Sequence, residues 1–139
     1  MITYERKAYY HETDQMGVIH HSNYFRWLEE ARVYFLDQMG LSYKHMEEIG
    51  IISPVVSISA TYKKPVRFDD TVIIYIKIAK YSGIKLELEY EIRDKITNEL
   101  MVLASSSHCF IKGESIISLK RDYIDFHNKF LNYIENQEI

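Results

Sequence analysis

The chain has 139 residues, 47% of them hydrophobic and 27% charged, which fits one soluble globular domain over residues 1–139 and excludes a disordered segment. With 17 basic against 20 acidic residues the formal net charge is -3, a balance that argues against a dedicated nucleic-acid binder. A single Cys leaves no intrachain disulfide, the first ten residues lack a signal-type apolar stretch, and no apolar run reaches transmembrane length. The expectation is a cytoplasmic protein with no membrane span. The 12 Tyr and 6 Phe exceed what so small a core buries, which points to rings at an interface or in an apolar pocket.

Residues 3–10 read as a first strand, rich in aromatics. His11-Glu12-Thr13-Asp14-Gln15-Met16-Gly17 reads as a loop. Residues 23–39 carry a helical period, with Tyr24, Leu28, Ala31, Phe35 and Met39 on one face and Phe25 and Trp27 widening the stripe. Ser22 or Asn23 is the expected N-cap and Gly40 the residue just past the end; no Glu or Gln stands three places after either cap to complete a capping box. A second short helical turn is expected over 42–50, capped by Ser42.

The remainder reads mostly as strand. Residues 51–62 and 71–80 are β-branched, and Ser82-Gly83 is a turn. Then Ile84, Leu86, Leu88, Tyr90 and Ile92 alternate with Lys85, Glu87, Glu89, Glu91 and Arg93, the period of a strand with one wet and one buried face. Another strand is expected over 100–111, a short apolar piece over 115–119 and a terminal helix over 122–134 with Tyr123, Phe126, Phe130 and Tyr133 or Ile134 on one side. One long helix followed by short-looped antiparallel strands is an α+β pattern, and both apolar faces are buried if the helix lies across the concave side of a curved sheet.

The chain lacks a G-x-S-x-G elbow, a Walker loop and a dinucleotide glycine pattern. Cys109 reads as a buried core thiol. Polar chemistry is densest in His11 to Asn23, which leads into the start of the long helix. A helix N-terminus offers unpaired N–H groups and a positive dipole end, which can hold an oxyanion on a carbonyl. A carboxylate on the preceding loop, Asp14, can then attack that carbonyl or activate water. The plainer reading makes Asp14 a turn residue and Asn23 a cap. His11, Asp14, His20 and His21 could ligate a metal, but adjacent His20 and His21 diverge in extended chain, and neither a metal nor any other cofactor is expected. Lys63, Lys64 and Arg67 around Pro65 form either a solvated turn or a group for the phosphates of a nucleotide-like tail.

The run from Tyr10 through Asp14, Gly17, Val18, His21, Asn23 and Tyr24 to Glu29-Glu30-Ala31-Arg32 resembles the opening of the 4-hydroxybenzoyl-CoA thioesterase family, in its YbgC-type acyl-CoA branch. That signature is T-D-x-x-G-V-V-x-H-x-N-Y followed by an aromatic-rich helix with E-x-A-R. Tyr62-Lys63-Lys64-Pro65 and Phe68-Asp69-Asp70 resemble a weaker second motif, and the tail after Lys112 carries none. The resemblance implies a hotdog fold, a curved antiparallel sheet wrapped around one long α-helix. It implies a homo-oligomer, a dimer or dimer of dimers, with acyl-CoA as substrate at the subunit interface. Asp14 matches the catalytic carboxylate, nucleophile or general base. The His21 backbone N–H matches the carbonyl polariser, and its side chain matches a group orienting substrate or water. Gly17, Val18, Asn23, Tyr24, Lys63 and Lys64 are the expected substrate-binding positions. Met16 stands where the family often has a small residue, which implies a narrower or greasier acyl pocket. Hydratase and dehydratase chemistry, thioester hydrolysis on an acyl carrier protein, and non-catalytic acyl-CoA binding are the rival readings.

Overall fold

A computed structural model describes residues 2–137. The elements run β1 (Thr3–Lys7), a 3₁₀ turn (Tyr10–Glu12), α1 (Ser22–Gln38), α2 (Tyr43–Glu48), β2 (Ile51–Ile52), β3 (Val55–Tyr62), β4 (Thr71–Tyr81), β5 (Lys85–Asp94), β6 (Leu100–Cys109), β7 (Ile111–Lys112), β8 (Ser115–Ile116), α3 (Leu119–Asp122) and α4 (Ile124–Asn136). The main sheet has the order β1-β4-β5-β6-β3, antiparallel throughout. A small second sheet joins β2, β7 and β8. Register shifts between Val55 and Ser57, Ile78 and Lys80, and Ile92 and Arg93 mark the bulges that bend the sheet.

The period of two in the sequence decides which face is buried. Val72, Ile74, Ile76 and Ile78 on β4 and Leu86, Leu88, Tyr90 and Ile92 on β5 point inward and are buried. α1 lays Tyr24, Trp27, Leu28, Ala31, Phe35 and Leu36 against that layer. Each such apolar side chain gains roughly 1.5–3 kcal/mol by leaving water. The resulting helix in a curved sheet is the hotdog arrangement. α4 extends the cover: Phe130 stacks on Tyr81 with centroids 4.6 Å apart, and Tyr133 meets Phe35 edge-on at 5.1 Å. No described helix is long and apolar enough to cross a membrane.

Both ends of α1 have identifiable causes. At its C-terminus Gly40 takes φ +88°, Gly40 N–H donates to Asp37 O at 3.0 Å and Leu41 N–H to Leu36 O at 2.8 Å, the paired bonds of a Schellman ending. The N-terminus departs from the sequence reading. His21, not Ser22 or Asn23, occupies the cap position, in helical backbone and with no side-chain cap bond. The Ser22 hydroxyl is taken by His20 Nδ1 at 2.8 Å, and the Asn23 amide donates to Glu12 O at 2.9 Å.

Three other boundaries differ. The first strand ends at Lys7, because the Tyr9 N–H turns away to the Glu12 carboxylate at 2.9 Å. The expected 51–62 strand is split, because Pro54 has no N–H for a ladder. The terminal helix is divided at Tyr123, and its main part begins at Ile124. Ser42 caps α2 as expected, accepting from His45 N–H at 3.3 Å, and Cys109 is buried.

Candidate active site

The loop between β1 and α1 is a tight hairpin. Asp14 N–H donates to Val18 O at 2.8 Å and Gly17 N–H to Asp14 O at 3.2 Å, leaving three loop residues. Such a loop ends in a left-handed residue, here Gly17 at φ +78°. The Asp14 carboxylate fixes the turn through Oδ1, which accepts from Met16 N–H at 2.8 Å and Val18 N–H at 3.4 Å; Oδ2 takes part in neither bond. Thr13 bridges Ile19 at the base, while Val18 bridges Arg67 and Ile19 N–H donates to Val66 O at 2.8 Å. The hairpin is therefore stitched to the segment that follows Pro65.

Behind the hairpin, Glu12 is 4% exposed yet carries a charge. Its carboxylate accepts from Trp27 Nε1 at 2.9 Å, Tyr9 N–H at 2.9 Å, and Arg6 Nη1 and Nη2 at 3.0 and 2.8 Å. Burial pushes the Glu12 carboxyl up, but the bonds from Trp27, Tyr9 and Arg6 outweigh it and hold it below the usual carboxylate range. Arg6 is desolvated too, yet its bonds to Glu30 and Glu12 raise it further above neutrality. Sequence reasoning passed over Glu12; the available signal was an acidic residue close to an indole donor on the next helix.

A cavity of about 290 Å³ opens where the hairpin meets the start of α1. Asp14, His20, His21 and Tyr24 line one side, and Tyr62, Lys63, Lys64 and Pro65 the other. His20 and His21 stack at 4.3 Å, and Tyr24 and Tyr62 lie 5.3 Å apart. The Tyr24 hydroxyl accepts from Val66 N–H at 3.2 Å, and burial raises its pKa. Within the run from His20 to Tyr24, neighbouring amides are engaged: His20 with Glu12 O, Ser22 with His20 Nδ1, Asn23 with His20 O and Tyr24 with His21 O. Among the described residues no group accepts from the His21 N–H.

The structure thus brings Asp14, His21, Tyr24, Lys63 and Lys64 to one cavity. Gly17, Val18 and Asn23 do not line it; they hold the hairpin and its junction with α1. Lys64 is paired with Glu99, and Arg67 lies outside the cavity, so the expected basic trio is separated. Met16 is 81% exposed and does not narrow this cavity. Among the described residues no three His, Cys, Asp or Glu side chains stand close enough to hold a metal. Larger hollows, of about 660 Å³ on the outer sheet face and about 820 Å³ beside α1, contain neither the hairpin carboxylate nor the helix start. An unpartnered helix N–H beside a carboxylate can bind a developing oxyanion and deliver an attacking oxygen; the larger hollows offer no such pair.

The sequence profile of the thioesterase-like superfamily matches residues 10–131. A Bacillus subtilis (strain 168) protein named "Putative acyl-CoA thioesterase YneP" is 36% identical over 128 residues, 91% of this chain and 92% of its own. The crystal structure of a DHNA-CoA thioesterase from Staphylococcus aureus superposes with a TM-score of 0.91 at 34% identity, covering 99% of this chain and 95% of that one. The acyl-CoA thioester hydrolase YbgC of Escherichia coli O157:H7 is 28% identical over 100 residues, 70% of this chain and 75% of its own.

Proposed function

Since the chain belongs to the thioesterase-like superfamily, we propose that it hydrolyses the thioester of an acyl-coenzyme A to the free acid and CoA, with Asp14 as the catalytic carboxylate. The observation that carries the reading is the sharing of one cavity by Asp14 and His21, whose N–H has no acceptor among the described residues. The thioester carbonyl oxygen accepts from that N–H, at the positive end of the α1 dipole. Asp14 removes a proton from water, the water oxygen bonds to the carbonyl carbon, and the tetrahedral intermediate expels the CoA thiolate, which takes up the proton. In the alternative course Asp14 itself attacks, expels the thiolate and forms an anhydride that water cleaves. The His21 imidazole orients water or substrate at the cavity wall. Lys63 and Lys64, across the cavity, suit the CoA phosphates.

A second copy of the chain completes the site. About 290 Å³ is at the small end of ligand pockets. Tyr62, which lines it, ends β3, and β3 is an edge strand of eight residues with Val55, Val56 and Tyr62 exposed. An unpaired edge of that length is a template for antiparallel pairing, so a dimer joined through β3 sets the partner's sheet beside the cavity. Pairing of dimers into a tetramer extends the same reading.

The test is thiol release from a panel of acyl-CoAs, 1,4-dihydroxy-2-naphthoyl-CoA and aliphatic thioesters among them, with the wild-type chain and Asp14→Asn. Release by the wild type and a loss of about 100-fold or more in kcat for the variant is the expected result. Undiminished release by the variant would remove Asp14 from the mechanism. No release from any CoA ester, with turnover of an acyl carrier protein or with binding alone, would replace the substrate or the activity. Single turnover in ¹⁸O-water separates the two courses, because only the anhydride leaves label in Asp14.

A further inference from the structure

We propose that Glu12 is a positioning residue for hydrolysis, a clasp that sets the Asp14 hairpin against the start of α1; this rests on the role of Asp14 proposed above. Glu12 touches both halves of that geometry. Its side chain is anchored to α1 through Trp27 Nε1 at 2.9 Å and to β1 through the two-pronged Arg6 contact at 3.0 and 2.8 Å. Its carbonyl accepts from His20 N–H and from Asn23 Nδ2, each at 2.9 Å, the residues on either side of His21 and Ser22. Two residues further along stands Asp14. The path between the carboxylate and the His21 N–H therefore runs through residue 12, reinforced only by the Thr13–Ile19 bridge and the hairpin itself.

A purely structural account leaves the charge unexplained. Burying a carboxylate is costly, and well-packed apolar groups often stabilise a fold as well as a buried ion pair does. A charged group with four donors on three elements instead fixes one arrangement, as directional bonds do and apolar contacts do not. Arg6 is itself held by Glu30, through Nε at 2.8 Å, and Glu30 accepts from Tyr4 OH at 3.1 Å. The clasp is thus braced from β1 at a distance from the cavity, and none of its members lines the cavity.

Three variants test it on a CoA ester that the wild type hydrolyses: Glu12→Gln, which keeps size and one acceptor but loses the forked pair; Trp27→Phe, which keeps the ring and loses the donor; and both together. Rates are read well below each variant's unfolding temperature. Small displacements of reacting groups cost up to about 100-fold, so kcat is expected to fall about 10- to 100-fold in each single variant. KM should stay within about twofold, because Lys63 and Lys64 are untouched. The double variant should be little worse than the worse single, since both remove one clasp. A lowered unfolding temperature with kcat within twofold of wild type would overturn the proposal and leave Glu12 structural; so would losses that multiply in the double variant. If Glu12→Gln does not fold, Trp27→Phe and Glu12→Asp carry the same comparison. Asp14→Asn run alongside separates the failures. If it keeps wild-type turnover, the Asp14 reading falls; if it is inactive while the clasp variants turn over normally, only the clasp falls.

Discussion

Two polar clusters in this molecule obey opposite rules. At the hairpin, Asp14, His20 and His21 are exposed around a small cavity. Beneath β5 and β6, Tyr90, Ser106 and His108 are buried in a line: Tyr90 OH to Ser106 Oγ at 2.8 Å, Ser106 Oγ to His108 Nε2 at 2.7 Å, and His108 Nδ1 to Pro54 O at 3.3 Å. A carbonyl can only accept, so Nδ1 carries the proton, Nε2 accepts from Ser106, and Ser106 accepts from Tyr90. Arg32 closes the cluster, donating to Ser53 O at 2.9 Å and to Glu29. Burial, then the Arg32 charge, push His108 down to about 4, and burial pushes Tyr90 up to about 12. Perturbed titration here follows desolvation. A search for shifted groups alone would stop at the buried line, where no substrate has access, and miss the exposed carboxylate beside an unpaired helix N–H.

The sharpest way to break this contrast is to neutralise one member of each cluster. Asp14→Asn should cost about 100-fold or more in kcat, roughly 3 kcal/mol of barrier, while moving stability by no more than about 0.5 kcal/mol. The Asn side-chain oxygen can still accept from Met16 N–H, so the turn survives. Paired kinetics and denaturant titrations check it; a large loss of stability would mean that the hairpin, not the chemistry, was lost.

The buried line should respond in the reverse sense, through pH. His108 has a native pKa near 4 against an ordinary 6.5. The unfolded chain therefore binds a proton below 6.5 that the native chain refuses until about 4. Stability is full above 6.5 and declines as pH falls through that window, by about 3 kcal/mol in all. Glu12, whose carboxyl is held below its ordinary 4.5, adds its own loss only at lower pH still. Urea midpoints between pH 7.5 and 4.5 should fall in the wild type and flatten in His108→Gln. An equal slope in both proteins would assign the acid sensitivity to another group.

How much of each cluster was legible in the sequence follows from the range of the interactions. The alternation of Leu86, Leu88, Tyr90 and Ile92 with Glu87, Glu89 and Glu91 is local, and it gave β5 and its buried face directly. The α1 stripe and Gly40 were local as well. The Asp14 hairpin stood out through its motif and its density of polar residues. Glu12 did not, because its partners are Arg6, Tyr9 and Trp27, spread over three elements and joined only by folding. The helix start was misread for a related reason: Ser22 has the chemistry of a cap, but His20 two residues back claims its hydroxyl. Pro54 was a legible break that β-branched neighbours masked.

The hairpin can also be probed without touching a polar group. An added Cβ at Gly17 meets nothing within 4 Å, so space does not require glycine; φ +78° does. Gly17→Ala should cost about 1–2 kcal/mol of local backbone strain. The hairpin can relieve it by reopening, which moves Asp14 and lowers kcat. Gly17→Asn, better tolerated in that conformation, should lose less of both. Equal losses for Ala and Asn, measured by thermal unfolding and turnover, would point to a close approach by a partner or substrate instead of backbone strain.

The smallest expected effect tests the direction assigned to the buried line. Tyr90→Phe removes the hydroxyl that donates to Ser106, while Ser106 keeps its bond to His108. Ser106 then loses an acceptor interaction but leaves no donor stranded, so the cost should be about 1 kcal/mol. Ser106→Ala is worse placed, because it strands the Tyr90 O–H and leaves His108 Nε2 without its donor, two buried groups instead of one. It should cost roughly twice as much or more, with kcat unchanged in both variants because neither residue lines the Asp14 cavity. If Tyr90→Phe proved the more costly, the proton order along the line would be reversed, Nδ1 would face Pro54 without a proton, and the neutral histidine would need a different explanation.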